Sequence, residues 1–419
     1  MTLDRTLLRG VRTILRARTK SFVALAKRAG LDPATDFRRA DLRDVDFATD
    51  DIAGFDFSGA DLRGARLDRV QNRHRAIFTG AILDDAGEAI PRPPWSSASG
   101  RDQYGTYADF TLPGTTITQR LRWVPPGRFT MGSPASEAGR RDNEGPQHEV
   151  VFVQGYWLFD TPCTQALWQG VMGNNPSRFA HPLRPVENVN FNQVQSFIAK
   201  LNARLPGLEL CLPSEAEFER ATRAGTATAT WAGDMDIQGE YNAPLLHPIA
   251  WYGGNSGLGY DLDEREDSAD WPEKQFEHSQ AGTRQVKTRE ANPWGFYDLL
   301  GNVWEWCADT WHDSYYDAPE DGSAWIDNEA GPAPRVFRGG AWDYPARFVR
   351  AAVRYSYPPD SRGDSLGFRC ARIHVTGEAE RRAARRERPA RSARAAPASP
   401  ERSGEANSSS SPRPKGEKF

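Results

Sequence analysis

Residues suited to metal or redox chemistry are few and scattered in this chain. Four cysteines, Cys163, Cys211, Cys307 and Cys370, form no Cys-x-x-Cys pair, so neither a zinc ribbon nor a dithiol redox motif is spelled out. Seven histidines (His74, His148, His181, His247, His278, His312, His374) include no i,i+4 pair and no His-x-Glu arrangement. An i,i+4 pair would set two imidazoles on one helix face for a metal. A different chemistry is suggested between residues 341 and 365. Trp342, Val349, Ala351, Ala352 and Arg354, then Leu366 and Phe368, read as framework. Between them stand Asp343, Tyr344, Phe348, Tyr355, Ser356, Tyr357, Ser361, Gly363, Asp364 and Ser365. Tyrosine gives large contact area at low entropy cost, while serine and glycine adapt, so this mix suits recognition of another molecule.

Several elements must position that stretch. Residues 4–29 carry Leu7, Leu8, Val11, Ile14 and Leu15, then Phe22, Val23 and Leu25, at helical spacing, with arginines on much of the other face. An amphipathic helix over 1–30 that docks on the next element is expected. A helix on a membrane surface or on nucleic acid is the alternative. Phe37, Leu42, Phe47, Ile52, Phe57, Leu62 and Leu67 then fall five apart without a break. A period of five fits neither helix nor strand; the repetition is itself the fold signal. Residues 84–115, rich in Pro, Ser, Gly and Asp, read as a linker with a short lead-in. Residues 116–375 form the main domain, and 376–419, basic and poor in large apolar side chains, read as a disordered tail.

Composition bounds the answer further. A chain of 419 residues holds about two or three domains. Its formal net charge of −3 argues for no particular partner. No apolar run is long enough to span a membrane and no secretory h-region opens the chain. The sparse cysteines fit a reduced, cytoplasmic setting. No membrane partner is expected, and the basic tail is read as solvated rather than as a nucleic-acid arm.

Two resemblances sharpen the expectation. The five-residue period is similar to the pentapeptide-repeat family, which implies a right-handed quadrilateral β-helix with the central apolar residue inward. Seven units make a stub over 31–83 that needs a cap. Its outward Arg and Asp alternate, which speaks for a spacer or docking platform rather than a DNA mimic. In the main domain, Trp123-Val-Pro-Pro-Gly-Arg-Phe-Thr-Met-Gly-Ser133, Leu212-Pro-Ser-Glu-Ala-Glu-Phe218, Asn292-Pro-Trp-Gly-Phe-Tyr-Asp298, Gly301-Asn-Val-Trp-Glu-Trp306, Phe337-Arg-Gly-Gly-Ala-Trp342 and Leu366-Gly-Phe-Arg-Cys370 stand in order. From about Leu121 to Ile373 the chain resembles the formylglycine-generating enzyme, or sulfatase-modifying factor, family. The expected fold is α+β: a loop-rich, C-type-lectin-like formylglycine-generating-enzyme fold, preceded by the helix and the β-helix stub. Trp304, Trp306 and Trp342 are expected as core anchors.

The resemblance implies three metal tests. Family oxidases carry two copper(I)-binding cysteines shortly after the Gly-Gly motif; here Asp343-Tyr-Pro-Ala-Arg-Phe-Val-Arg350 has none, so no copper is expected. A related branch holds nonheme iron with three histidines on a helical bundle that this chain lacks, so no iron is expected. The family also holds a structural Ca²⁺ beside the Gly-Asn-x-Trp-Glu-Trp turn, and the matching positions are Asp298, Gly301, Val303 and Glu305. Carboxylate and carbonyl oxygens suit that hard ion. The 341–365 surface resembles the variable region of diversity-generating-retroelement proteins, which share this fold and randomise such positions through adenine-directed copying. Asp, Tyr, Phe, Ser and Gly are all reachable from an Asn codon. The reading is a noncatalytic protein that binds a macromolecular ligand, a protein, through those ten residues, with a docking partner for the helix and stub. The alternatives are a noncatalytic binding module without diversification, and a formylglycine-generating oxidase-like or other sulfatase-modifying-factor enzyme acting on a protein substrate.

Overall fold

The computed structural model describes residues 21–373, apart from 39, 44, 59, 63, 64, 68, 73, 74, 79, 80, 84–91, 153 and 328–332. The basic tail and the first twenty residues lie outside the described residues, so the N-terminal helix is described only from Phe22.

That helix, α1 (Phe22–Ala29), is capped at both ends. Ser21 accepts from the Ala24 amide, and Gly30 takes the left-handed conformation that ends it. The apolar face meets the repeat: the Phe22 ring lies 5.3 Å from that of Phe37 and 4.5 Å from that of Phe47. The Val23 amide donates to Asp50 at 2.9 Å. All seven apolar residues of the five-residue series are buried. Parallel bridges join Asp46 to Arg66, Asp51 to Gln71 and Asp56 to Ile77, and β1 (Asp61–Leu62) pairs in parallel with β2 (Ile82–Leu83). The partners lie 20 or 21 residues apart, that is, about four five-residue units per turn of chain.

The main domain starts earlier than its expected boundary. The linker reading for 84–115 is corrected over its second half. β3 (Ala98–Asp102) and β4 (Gly105–Thr111) form a hairpin that enters the sheet beside β5 (Thr118–Val124). Ala108 and Phe110 alternate inward there, and that period-two signal is hidden by the Ser, Gly and Asp around it. β6 (Gly127–Met131) and β7 (His148–Phe152) make a separate hairpin. β8 (Tyr156–Phe159) follows β5 in the large sheet, whose order is completed on the other edge by β15 (Ala371–Ile373).

Three helices pack near this sheet. α2 (Gln165–Met172) starts at the Thr164 cap. α3 (Phe191–Arg204) starts at Asn190, with Gln193 completing a capping box, and α4 (Glu215–Arg223) does the same with Ser214 and Glu217. A short ladder, β9 (Glu266–Asp267) with β10 (Gln280–Ala281), ties a long loop. The second sheet has the order β13-β12-β11-β14, from β11 (Trp304–Thr310), β12 (Arg335–Arg338), β13 (Arg354–Tyr357) and β14 (Leu366–Gly367). Trp304, Trp306 and Trp342 are buried, as core anchors must be. Among the described residues no helix is long and apolar enough to cross a membrane.

Candidate ligand-binding surface

Alternation along the second sheet sorts its residues onto two faces. On one, Trp304 and Trp306 of β11 meet Phe337, which pairs with Trp306 across the ladder. Edge strand β13 adds Tyr355 opposite Phe337 and Tyr357 opposite Arg335. The Phe337 ring is 6.1 Å from Tyr355, stacked, and 4.7 Å from Tyr357. The edge of Trp304 meets Tyr344 at 5.1 Å and Tyr355 at 5.6 Å. Tyr344, Tyr355 and Tyr357 are half-buried on this apolar floor. The Arg141 guanidinium lies 4.4 Å above the Tyr355 ring, a cation–π contact with a residue 214 positions away that no local pattern announced.

Two expected contact residues do not join the tyrosines. Phe348 is buried, with its ring 5.7 Å from Tyr344 and 5.8 Å from Tyr355. It is a wedge beneath the surface, and its apolar ring is better hidden than displayed. Ser356 lies between Tyr355 and Tyr357 in the strand and pairs with Val336, so alternation sends it to the opposite face.

The other face anchors the sheet. Arg354 donates to both oxygens of Glu215 on α4, at 2.7 and 2.8 Å. Arg350, which the sequence reading did not single out, donates to both oxygens of Glu144 at 3.0 and 2.7 Å. All four side chains are buried. These fork-to-fork pairs fix the backbone between Tyr344 and Tyr355.

The second half of the expected site is a loop whose main chain is pinned. Ser361 closes a turn onto the Pro358 carbonyl, Gly363 O accepts from Asn188, and Ser365 O accepts from the Trp304 amide. Trp342 Nε1 donates to Asp364 O at 3.1 Å. A Cβ on Gly363 would meet open space, so this position tolerates a larger side chain. Asp343 is half-buried. Asp364 pairs with Arg178 at 2.7 Å, which joins the loop to an acidic cluster.

Of the expected calcium residues, Glu305 and Asp298 both hold protein partners. Both Glu305 oxygens accept from Arg369, at 2.8 Å from Nε and 2.7 Å from Nη2. Asp298 accepts from the Lys287 amide at 3.1 Å and from Asn302 Nδ2 at 3.2 Å. The cation facing Glu305 is thus a guanidinium from the Gly-Phe-Arg-Cys motif. Gly301 serves the turn instead: at φ 76° its α-carbon sits where a Cβ would come within 2.2 Å of the Trp251 carbonyl. Val303 is fully buried beside it. Burial pushes the Asp298 carboxyl up and the Glu305 carboxyl to about 7. The thiols fare similarly: Cys163, Cys307 and Cys370 are buried, and burial holds each well above its ordinary range, the reverse of a reactive thiolate.

Fold and site together define a mixed helix–sheet domain with a pinned, tyrosine-bearing surface on a tryptophan floor. Residues 111–374 match the sulfatase-modifying factor enzyme 1-like domain, and the chain belongs to that family. Residues 51–86 match pentapeptide repeats. The formylglycine-generating enzyme of Thermomonospora curvata is 30% identical over 325 residues, covering 63% of this chain and 97% of that protein. PvdO from Pseudomonas aeruginosa is similar in structure, with TM-score 0.50 and 27% identity over 67% of this chain and 99% of its own. Treponema denticola variable protein 1 aligns with TM-score 0.48 and 26% identity, over 64% of this chain and 99% of its own.

Proposed function

We propose that this chain is a noncatalytic ligand-binding protein whose sulfatase-modifying-factor domain displays a diversified surface to a macromolecule, a protein. The observation that carries this reading is the seating of Tyr344, Tyr355 and Tyr357. They lie half-buried on the Trp304–Phe337 floor, while buried ion pairs hold the backbone around them. A rigid frame with exchangeable side chains lets contacts change without refolding, and aromatic anchors near the centre of a patch dominate affinity. Asp343, Ser361, Gly363, Asp364 and Ser365 would form the adaptable rim. In this reading the domain is C-type-lectin-like, and the repeat is a β-helix stub that docks a partner beside its capping helix. The setting is cytoplasmic.

Tyr344→Ala with Tyr355→Ala is expected to abolish ligand capture while the domain keeps its cooperative melt. Unchanged capture would show the surface misassigned. Diversification has its own test, the DNA around the gene. A near-copy of the codons for 339–369 that differs only where it carries adenines, beside a reverse transcriptase, is the expected finding.

A second reading, an enzyme that modifies a protein substrate, is favoured by the 30% identity to a formylglycine-generating enzyme. Against it stands the stretch Asp343–Arg350, which holds no cysteine where family oxidases bind copper(I). Conversion of a sulfatase-motif peptide by copper-loaded protein would establish this reading and displace the first.

A further inference from the structure

Beside the tyrosine surface, negative charge gathers around a single cation. Arg178 meets Glu264 at 3.0 Å, Glu266 at 3.1 Å and Asp364 at 2.7 Å. Its remaining Nη2 is spent on the Arg265 carbonyl at 2.8 Å. One guanidinium therefore serves three carboxylates, and the segment 261–277 adds six more Asp and Glu, of which Asp261 pairs with Arg184, against Arg265 and Lys274. The Lys274 ammonium does not offset them at the rim, since it donates to the carbonyls of Ser268, Ala269 and His278.

Beneath this rim lies a buried carboxyl with an unpartnered oxygen. Glu187 is wholly buried, and its field partners are Asp364 and Arg178. Its Oε1 accepts from the Phe179 amide at 2.9 Å, while Oε2 has no hydrogen-bond partner. An unmatched buried carboxyl is costly unless it keeps its proton. Burial, with Asp364 adding to it, pushes Glu187 up to about 8. Glu187 therefore keeps its proton at neutral pH beneath a cluster whose one guanidinium is already shared three ways.

The geometry points to this acidic rim as the seat of a cationic side chain, a lysine or arginine of a polypeptide ligand lying on the tyrosine surface. This rests on the reading of 343–365 as that surface, because Asp364 belongs to both. The carboxylates fan around a planar guanidinium rather than converging on a point. Among the described residues no group of three or more His, Cys, Asp or Glu side chains is arranged to hold a metal ion. An incoming ammonium or guanidinium would lie against Glu264, the most exposed of the three carboxylates, with Glu266 beside it, and relieve the repulsion around Arg178.

The test uses the full chain and two labelled probes, Tyr-(Gly-Lys)₃ and Tyr-(Gly-Glu)₃, read by fluorescence anisotropy. The lysine probe is expected to bind and the glutamate probe not to, with affinity falling as salt rises from about 50 to 300 mM. Glu264→Gln with Glu266→Gln is expected to weaken the lysine probe about tenfold at low salt. Both side chains reach solvent, so the variant should keep its melting temperature. Tyr344→Ala with Tyr355→Ala is expected to weaken the same probe through its tyrosine. Loss in the carboxamide variant alone would keep the cation seat and overturn the tyrosine surface. Equal binding by wild type and carboxamide variant, or no preference for lysine over glutamate, would overturn the cation seat.

Discussion

Replacing Glu187 by glutamine should leave the protein nearly unchanged at pH 5 and make it more stable than wild type at pH 9. Below about 8 the buried carboxyl carries its proton, and glutamine has the same shape and the same neutrality. Its oxygen can still accept from the Phe179 amide, as Glu187 Oε1 does. In the unfolded chain the carboxyl ionises near 4.5, its ordinary value. The folded value is raised, so the folded state binds the extra proton between about 4.5 and 8. The contribution of Glu187 to stability is therefore full below 4.5 and is lost as pH rises through 8. The displacement is about 3.5 pH units, and at 1.36 kcal/mol per unit the loss is on the order of 5 kcal/mol, an upper bound because structure and solvent relax around a new charge. Urea unfolding of both proteins at pH 5, 6, 7, 8 and 9 reads the difference directly. Other buried carboxyls, Glu305 and Asp309 among them, are common to both and cancel. A wild-type minus glutamine difference that is flat across this range would refute the account of Glu187 as a proton-holding group.

Arg369→Met should cost about 3–5 kcal/mol, because it strands the buried Glu305 carboxylate and removes donors to the Phe159 and Tyr297 carbonyls; chemical unfolding reads it. The same pairing predicts that millimolar Ca²⁺ leaves the melting temperature of the wild type unchanged, and a rise of several degrees would show that the ion displaces Arg369. Phe22→Ala should destabilise the repeat by about 2–4 kcal/mol, less than a fully buried phenylalanine would, since the ring touches Phe37, Phe47 and Phe55 from one side. Hydrogen exchange of the amides between 45 and 78 should quicken while those of β5 and β8 hold. Equal protection in both proteins would mean that α1 covers nothing that matters.

Local signals carried much of the fold. The five-residue series was legible because burial there repeats at a period that no helix or strand shares, and all seven residues are buried. Ser214, set before the acidic first turn Glu215-Ala-Glu217, has the sequence form of a helix cap, and it caps α4. The three tryptophans read as core because large rings seek interiors. Where the signal was weak the reading failed. β3 and β4 read as linker because only Ala108 and Phe110 face the core fully, too few to stand out from turn-forming neighbours. Phe348 reads as a surface residue because its position in the loop says nothing about depth.

By itself, the sequence determined which residues stand in the 341–365 stretch, that it lacks cysteine, and that a five-residue repeat precedes a sulfatase-modifying-factor domain. These follow from identity and spacing along the chain. Only the tertiary structure decided that Tyr344, Tyr355 and Tyr357 share a floor while Ser356 turns away. It alone paired Glu305 with Arg369, and gathered Glu187, Glu264, Glu266 and Asp364 around Arg178. The physical reason is range. A cap, a period or a motif acts over a few residues, whereas charge and burial depend on distances between residues as much as 214 positions apart, which exist only once the chain has closed on itself.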